Sequence, residues 1–182
     1  MKHTGSDAIF ALACKYDLKY YQRFVGSLRK SGFTGDIVLA VSPVDQMKPG
    51  VMEYLLSMNV ISYGFDVDCK GKDNCRLKKD FLGYADPRPF RTFANIRYAL
   101  YEYWLRNYPD NAYILILDFR DTFFQRNPFE PLGPIENRQP KYDLRMYAEN
   151  EKVPTVISIT VWFLLSFSHD FLLHLSLHLT HR

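Results

Sequence analysis

The sequence predicts an α/β domain with a mostly parallel sheet and helices on both of its faces. Two observations lead there. From residue 8 to residue 152, strand-like apolar runs alternate with segments of helical period, the order that builds a parallel sheet from strand–helix–strand units. The strand-like runs are also apolar throughout rather than alternating, as suits strands covered on both faces. With 182 residues, the chain is long enough for one domain with its own core.

Taken in order, Ala8 to Ala13 (AIFALA) reads as a buried first strand. Leu18 to Ser31 reads as a helix, with Tyr20, Phe24 and Leu28 at four-residue spacing, Asp17 as N-cap and Gly32 as C-cap. Ile37 to Val41 is a second apolar strand, closed by Ser42-Pro43. Pro49 to Met58 suits a helix with proline in its first turn, and Val51, Tyr54, Leu55 and Met58 share one face. Val60 to Phe65 is a third strand. Residues 66–90 read as a long polar loop of the kind that is often functional or disordered. Thr92 to Arg106 is the clearest helix: Phe93, Ile96, Leu100, Tyr103 and Trp104 line one side, and Asn95, Tyr98, Glu102 and Arg106 another. Asn107-Tyr108-Pro109-Asp110 ends it. Tyr113 to Leu117 is the last strand of the series.

Composition narrows the function classes. A formal net charge of +3, with no run of five basic residues, gives no electrostatic footprint for nucleic acid. Three cysteines are few. Cys69 and Cys75 frame a polar loop and can close a small disulfide in an oxidising compartment; their spacing is not a zinc pattern. Cys14 ends a strand-like run and reads as a small buried hydrophobe. Met1 to Ser6 leads straight into a strand, which predicts no signal peptide, and no Asn-x-Ser/Thr sequon occurs.

The chemistry concentrates in Ile114-Leu115-Ile116-Leu117-Asp118-Phe119-Arg120-Asp121, where an apolar strand runs into two aspartates three positions apart. Open α/β sheets bind their ligands at the carboxyl ends of such strands. Two carboxylates there can hold a hard divalent cation, Mn²⁺ or Mg²⁺, which in turn can hold a diphosphate. The competing reading is structural: Asp118 caps a turn, and Asp121 pairs with Arg120 or Arg126.

The stretch from Leu117 to Phe129 resembles the Asp-x-Asp region of GT-A-fold glycosyltransferases. It is closer still to a group whose motif reads Asp-x-Arg-Asp-x-x-Phe-Gln followed by Pro-Phe, which Phe124-Gln125 and Pro128-Phe129 match. Arg91-x-x-x-Asn95-x-Arg97, followed by Tyr103-Trp104-Leu105, resembles the helix before that motif. Ala8 to Ala13, followed by Cys14-Lys15-Tyr16-Asp17, resembles the first nucleotide-binding strand and loop. The likeness covers about residues 6 to 152. It implies a Rossmann-like GT-A sheet and transfer of a sugar from a nucleotide-diphosphate donor to a hydroxyl of a glycan, protein or small molecule. Asp121 matches the second, metal-binding aspartate, and Asp118 the first, displaced by one residue. Arg91 and Asn95 would approach the nucleotide sugar, and Cys14, Lys15 and Tyr16 the base or ribose. Analogy with lumenal transferases points to the Golgi or endoplasmic reticulum. The group's second half is expected to supply the acceptor site, through a Trp-Asn-Ser-Gly-like segment after a stretch like Tyr147 to Glu151. Here Val153-Pro154-Thr155 and an apolar tail follow instead. The resemblance therefore implies a domain lacking its carboxyl-terminal half, with no catalytic base or nucleophile to assign.

Residues 153–182 break with what precedes them: Asp170 and Arg182 are the sole charged residues, and His169, His174, His178 and His181 cluster among Leu, Ser and Phe. A membrane segment from about Val156 to Leu179 fits by length but places His169 and Asp170 in its middle. A zinc site from His174, His178 and His181 has workable helical spacing but no supporting acid. The reading favoured by the patternless composition is a tail foreign to the fold, such as translated non-coding sequence. The sequence thus predicts an amino-terminal donor-binding part over 1–152, with a non-catalytic chain carrying a membrane-associating tail as the alternative. A phosphatase-like hydrolase with Asp118 as nucleophile lacks its expected motif order.

Overall fold

A computed structural model of the chain describes residues 2–71, 74–78 and 89–137. The tail 153–182, with its membrane and zinc readings, and the Tyr147 to Glu151 stretch lie outside the described residues.

The core is a four-stranded, all-parallel sheet in the order β3-β2-β1-β6, formed by β1 (Ala8–Ala13), β2 (Asp36–Val41), β3 (Ile61–Gly64) and β6 (Ile114–Ile116). Helices α1 (Leu18–Lys30), α2 (Val51–Ser57) and α3 (Phe93–Leu105) connect or cover these strands. The predicted α/β class and parallel sheet are present.

Side chains alternate along each strand, so the two faces receive different partners. Ile9, Ala11, Ala13, Ile37, Leu39, Val41 and Leu115 pack against Phe24, Val25 and Leu28 of α1 and Val51 and Leu55 of α2. Ala8, Phe10, Val38, Ala40, Ile114 and Ile116 pack against Ile96, Leu100, Tyr101 and Trp104 of α3. Every residue of β2 is buried, which explains its unbroken apolar run.

Helix boundaries fall close to the sequence reading, with informative exceptions. Asp17 does sit at the N-cap of α1, but its side chain makes no capping bond. Ser31 is the C-cap, and Gly32 follows in the left-handed region at φ +86°, where glycine escapes the Cβ clash. In α1 the buried tyrosine is Tyr21 rather than Tyr20; the Tyr21 hydroxyl donates to the Ala13 carbonyl. Helix α2 starts after Gly50, so Pro49 stands before its cap and not in its first turn. In α3 the inward face holds Tyr101, while Tyr103 is 38% exposed, which corrects the predicted stripe. Its outer face carries an Arg106–Glu102 ion pair at 3.6 Å.

The stretch read as an unstructured loop contains an antiparallel hairpin, β4 (Val67–Cys69) with β5 (Cys75–Leu77), closed by a Cys69–Cys75 disulfide. Cys75 and Leu77 are buried in the α3-side core. Backbone bonds between Cys75 and Arg91, at 2.7 and 2.9 Å, tie the hairpin to the residue just before α3. No helix among the described residues is long and apolar enough to cross a membrane.

Candidate functional site

The sheet order identifies where a ligand crevice belongs. From β1 the chain moves outward to β2 and β3 on one side, while β6 returns on the other side of β1. Such a switch point opens a crevice above the carboxyl ends of the two strands it separates. Those ends carry Cys14-Lys15-Tyr16 after β1 and Leu117-Asp118 after β6. The register continues past the last paired residues through Leu117 N–H, which donates to the Phe10 carbonyl at 3.3 Å.

Phe119 holds the second loop in place. It is 2% exposed, with its ring 4.8 Å from Phe24, 4.9 Å from Tyr21 and 5.4 Å from Tyr16 between centroids. Burying this one side chain forces its neighbours Asp118 and Arg120 to face outward. The Thr122 hydroxyl donates to the Asp118 carbonyl, closing the turn. Phe124 N–H then donates to the buried Ser27 hydroxyl at 3.1 Å, fastening the loop to α1.

The first loop is braced from β2. Lys15 has φ +62°, in the left-handed region, and its N–H donates to the Ser42 hydroxyl at 3.0 Å. Cys14 is half-buried against the Ala40 carbonyl, 3.6 Å away; burial pushes its thiol up to about 12, which favours the neutral form. Tyr16 lies where the two loops meet. Its hydroxyl is raised by burial, with Arg120 opposing and Asp121 and Asp118 adding to the shift.

Both aspartates are exposed, and both are paired. Asp118, 52% exposed at its side chain, accepts from Arg97 Nη1 of α3. Asp121, 72% exposed, accepts from Arg120 Nε at 3.2 Å through each of its oxygens. Of the residues that the sequence places in the site, the structure brings Cys14, Lys15, Tyr16, Asp118 and Asp121 together. Arg91 is tied by its backbone to Cys75, and its Nη1 donates to the Pro89 carbonyl at 3.1 Å. Asn95 is exposed on the first turn of α3. Two positions along a helix turn about 200°, so Asn95 points away from the Arg97 side. Arg97 is the residue that sequence reasoning missed. Its signal was available: it lies in the same Arg91-x-x-x-Asn95-x-Arg97 pattern, four residues before Tyr101.

Beneath the site is a polar seam within α3. Arg97 Nε, the Tyr101 hydroxyl and Trp104 Nε1 are buried with no hydrogen-bond partner among the described residues. The Arg97 guanidinium lies 5.4 Å from the Tyr98 ring centre.

The donor set for a cation is limited. Among the described residues no three His, Cys, Asp or Glu side chains gather where they could hold a metal ion. Two carboxylates still suit Mg²⁺ or Mn²⁺ when phosphate oxygens and water complete the shell. Among the described residues, Asp118 and Asp121 thus do not form a complete metal cage of their own.

Compared with known proteins, the chain matches no family model, no curated protein and no solved structure.

Proposed function

We propose that the chain is the donor-binding portion of a GT-A-like glycosyltransferase, which transfers a sugar from a nucleotide diphosphate to a hydroxyl acceptor. The observation that carries this reading is the meeting of Cys14-Lys15-Tyr16 and Asp118 to Asp121 across adjacent parallel strands at the switch point of the sheet. Tyr16 supplies an aromatic face beside the two carboxylates for the nucleoside. Asp118 and Asp121 supply the oxygen ligands, and the arginines on them supply donors for phosphate oxygens. A bound Mn²⁺ or Mg²⁺ would stabilise the charge developing on the departing diphosphate.

The test is calorimetric titration of the full chain with uridine and guanosine diphosphates, with and without Mn²⁺. Cation-dependent binding that disappears in Asp121→Ala supports the reading. Binding of neither nucleotide at millimolar concentration rejects it.

A further inference from the structure

We propose that the Cys69–Cys75 disulfide is a thiol-exchange site: a dithiol reduces it at Cys69 in the folded chain, and its opening releases the β4–β5 hairpin from the start of α3. The proposal rests on the fold alone and is independent of the donor-binding reading.

The bond holds a structure small enough to need it. The two strands are three residues each, and a hairpin this short is marginal by itself in water. An Asp68–Arg76 ion pair crosses it at 3.4 Å, but both side chains are nearly half exposed, and such pairs contribute little. The two cysteines are only six positions apart. Closing so short a loop constrains the unfolded chain less than closing a long one. The effect of the disulfide is therefore local: it fixes β4 on β5 more than it stabilises the domain.

The hairpin in turn fixes the entrance of α3. Cys75 N–H donates to the Arg91 carbonyl at 2.7 Å, and Arg91 N–H to the Cys75 carbonyl at 2.9 Å. Lys70 and Arg76 each follow a cysteine in sequence, and their cations lie 4.9 and 4.7 Å from the centre of the Phe90 ring, close enough for a cation–π attraction. Thr92, the next residue after Arg91, is the N-cap of α3. Leu77 of β5 is buried in the same core as Ile96 and Leu100. The disulfide, Phe90, Arg91 and the first turn of α3 thus form one continuous series of contacts.

The two cysteines differ in access. Cys69 is exposed, whereas Cys75 is buried, so an external thiolate meets Cys69. Exposed disulfides are the labile ones. One sulfur of the dithiol bonds to Cys69 Sγ as the Sγ–Sγ bond breaks, and Cys75 leaves with the electron pair and takes a proton. The second sulfur of the dithiol then displaces Cys69, which takes a proton in turn. Two electrons and two protons pass to the chain, and the dithiol ends as a disulfide.

The experiment treats the full chain with dithiothreitol in native buffer, counts the new thiols by alkylation and mass, and follows hydrogen exchange peptide by peptide. We expect two new thiols without denaturant, about 10-fold faster exchange in β4, β5 and the first turn of α3, unchanged exchange in β1 and β2, and recovery on reoxidation with glutathione disulfide. Cys69→Ser, a change at an exposed position, should exchange like the reduced chain with no reductant present. A bond that resists dithiothreitol until denaturant is added overturns the proposal, because the disulfide is then a permanent staple. Faster exchange in β1 and β2 on reduction overturns it by showing that the whole domain loosens. Unchanged exchange at the start of α3 overturns it by showing that the hairpin and the helix are uncoupled.

Discussion

The main-chain nitrogen of Lys15 donates to the hydroxyl of Ser42 at 3.0 Å, joining the loop after β1 to the end of β2. Ser42 is 4% exposed, so removing its hydroxyl leaves a loop N–H short of an acceptor. Lys15 meanwhile holds a left-handed backbone that costs a side-chain-bearing residue about 1–2 kcal/mol. Ser42→Ala is expected to lower unfolding free energy by about 1–2 kcal/mol in urea titration. Lys15→Gly at the same loop should be neutral or slightly stabilising. An unchanged urea midpoint in Ser42→Ala would show that the bond does not hold the loop.

Phe119 should be the most sensitive residue of the second loop. It fills space between Tyr16, Tyr21 and Phe24 and separates Asp118 from Arg120. Phe119→Ala is expected to cost about 3–5 kcal/mol, the range for truncating a buried aromatic. Phe119→Leu keeps much of the volume and should cost less. Thermal unfolding of the two variants distinguishes them; equal, small losses would mean that the loop is held from elsewhere.

The legible parts of the fold were those where one local signal coincides with one structural need. Strands β1 and β2 are apolar runs bounded by turn residues, and because both faces are covered nothing interrupts the run. The hairpin escaped notice because its strands are three residues each, too short for any period to show, and their stability comes from the disulfide and from Cys75 and Leu77 packing under α3. Counting every fourth residue from Tyr20 selected the wrong tyrosine, since the Ala13 carbonyl draws Tyr21 inward. In the site, the strand-end aspartates were readable from the switch from apolar to acidic residues. Their arginine partners were not equally so: Arg120 is adjacent in sequence, but Arg97 reaches Asp118 from 21 residues away, a meeting that depends on how α3 crosses the sheet.

Tyr101 offers a test of the polar seam. Its side chain is 1% exposed and its hydroxyl is without a hydrogen-bond partner among the described residues. A buried hydroxyl left unpaired costs about 1–3 kcal/mol, and removing it leaves a phenyl ring of the same shape. Tyr101→Phe is therefore expected to stabilise the protein by about 1 kcal/mol in chemical denaturation. Destabilisation instead would mean that the hydroxyl has a partner, such as a water between it and Arg97.

At the other end of the sheet, His3 links the amino-terminal segment to β3 and to the loop after α3, and should make stability depend on pH. Its Nδ1 lies 2.7 Å from the Tyr108 hydroxyl and its Nε2 2.7 Å from the Tyr63 hydroxyl. Tyr108 donates to the buried Asp36 carboxylate at 2.8 Å, and Thr4 donates to the same carboxylate from its backbone and its hydroxyl. With the Tyr108 proton committed to Asp36, Nδ1 carries hydrogen and donates to the Tyr108 oxygen. Burial holds the His3 pKa below its usual 6.5, with Asp36 pulling the other way. The unfolded chain then binds a proton near pH 6.5 that the folded chain still refuses, so the unfolded state carries more protons and stability rises with pH. The His3 contribution is fully present above about pH 6.5 and is lost as pH falls below it toward the lowered folded value. His3→Phe keeps the stacking on Tyr63 and the edge contact with Tyr108 but removes the titrating group. Thermal midpoints measured from pH 5 to pH 8 should fall on acidification more steeply in the parent chain than in His3→Phe; parallel curves would place the pH dependence outside this network.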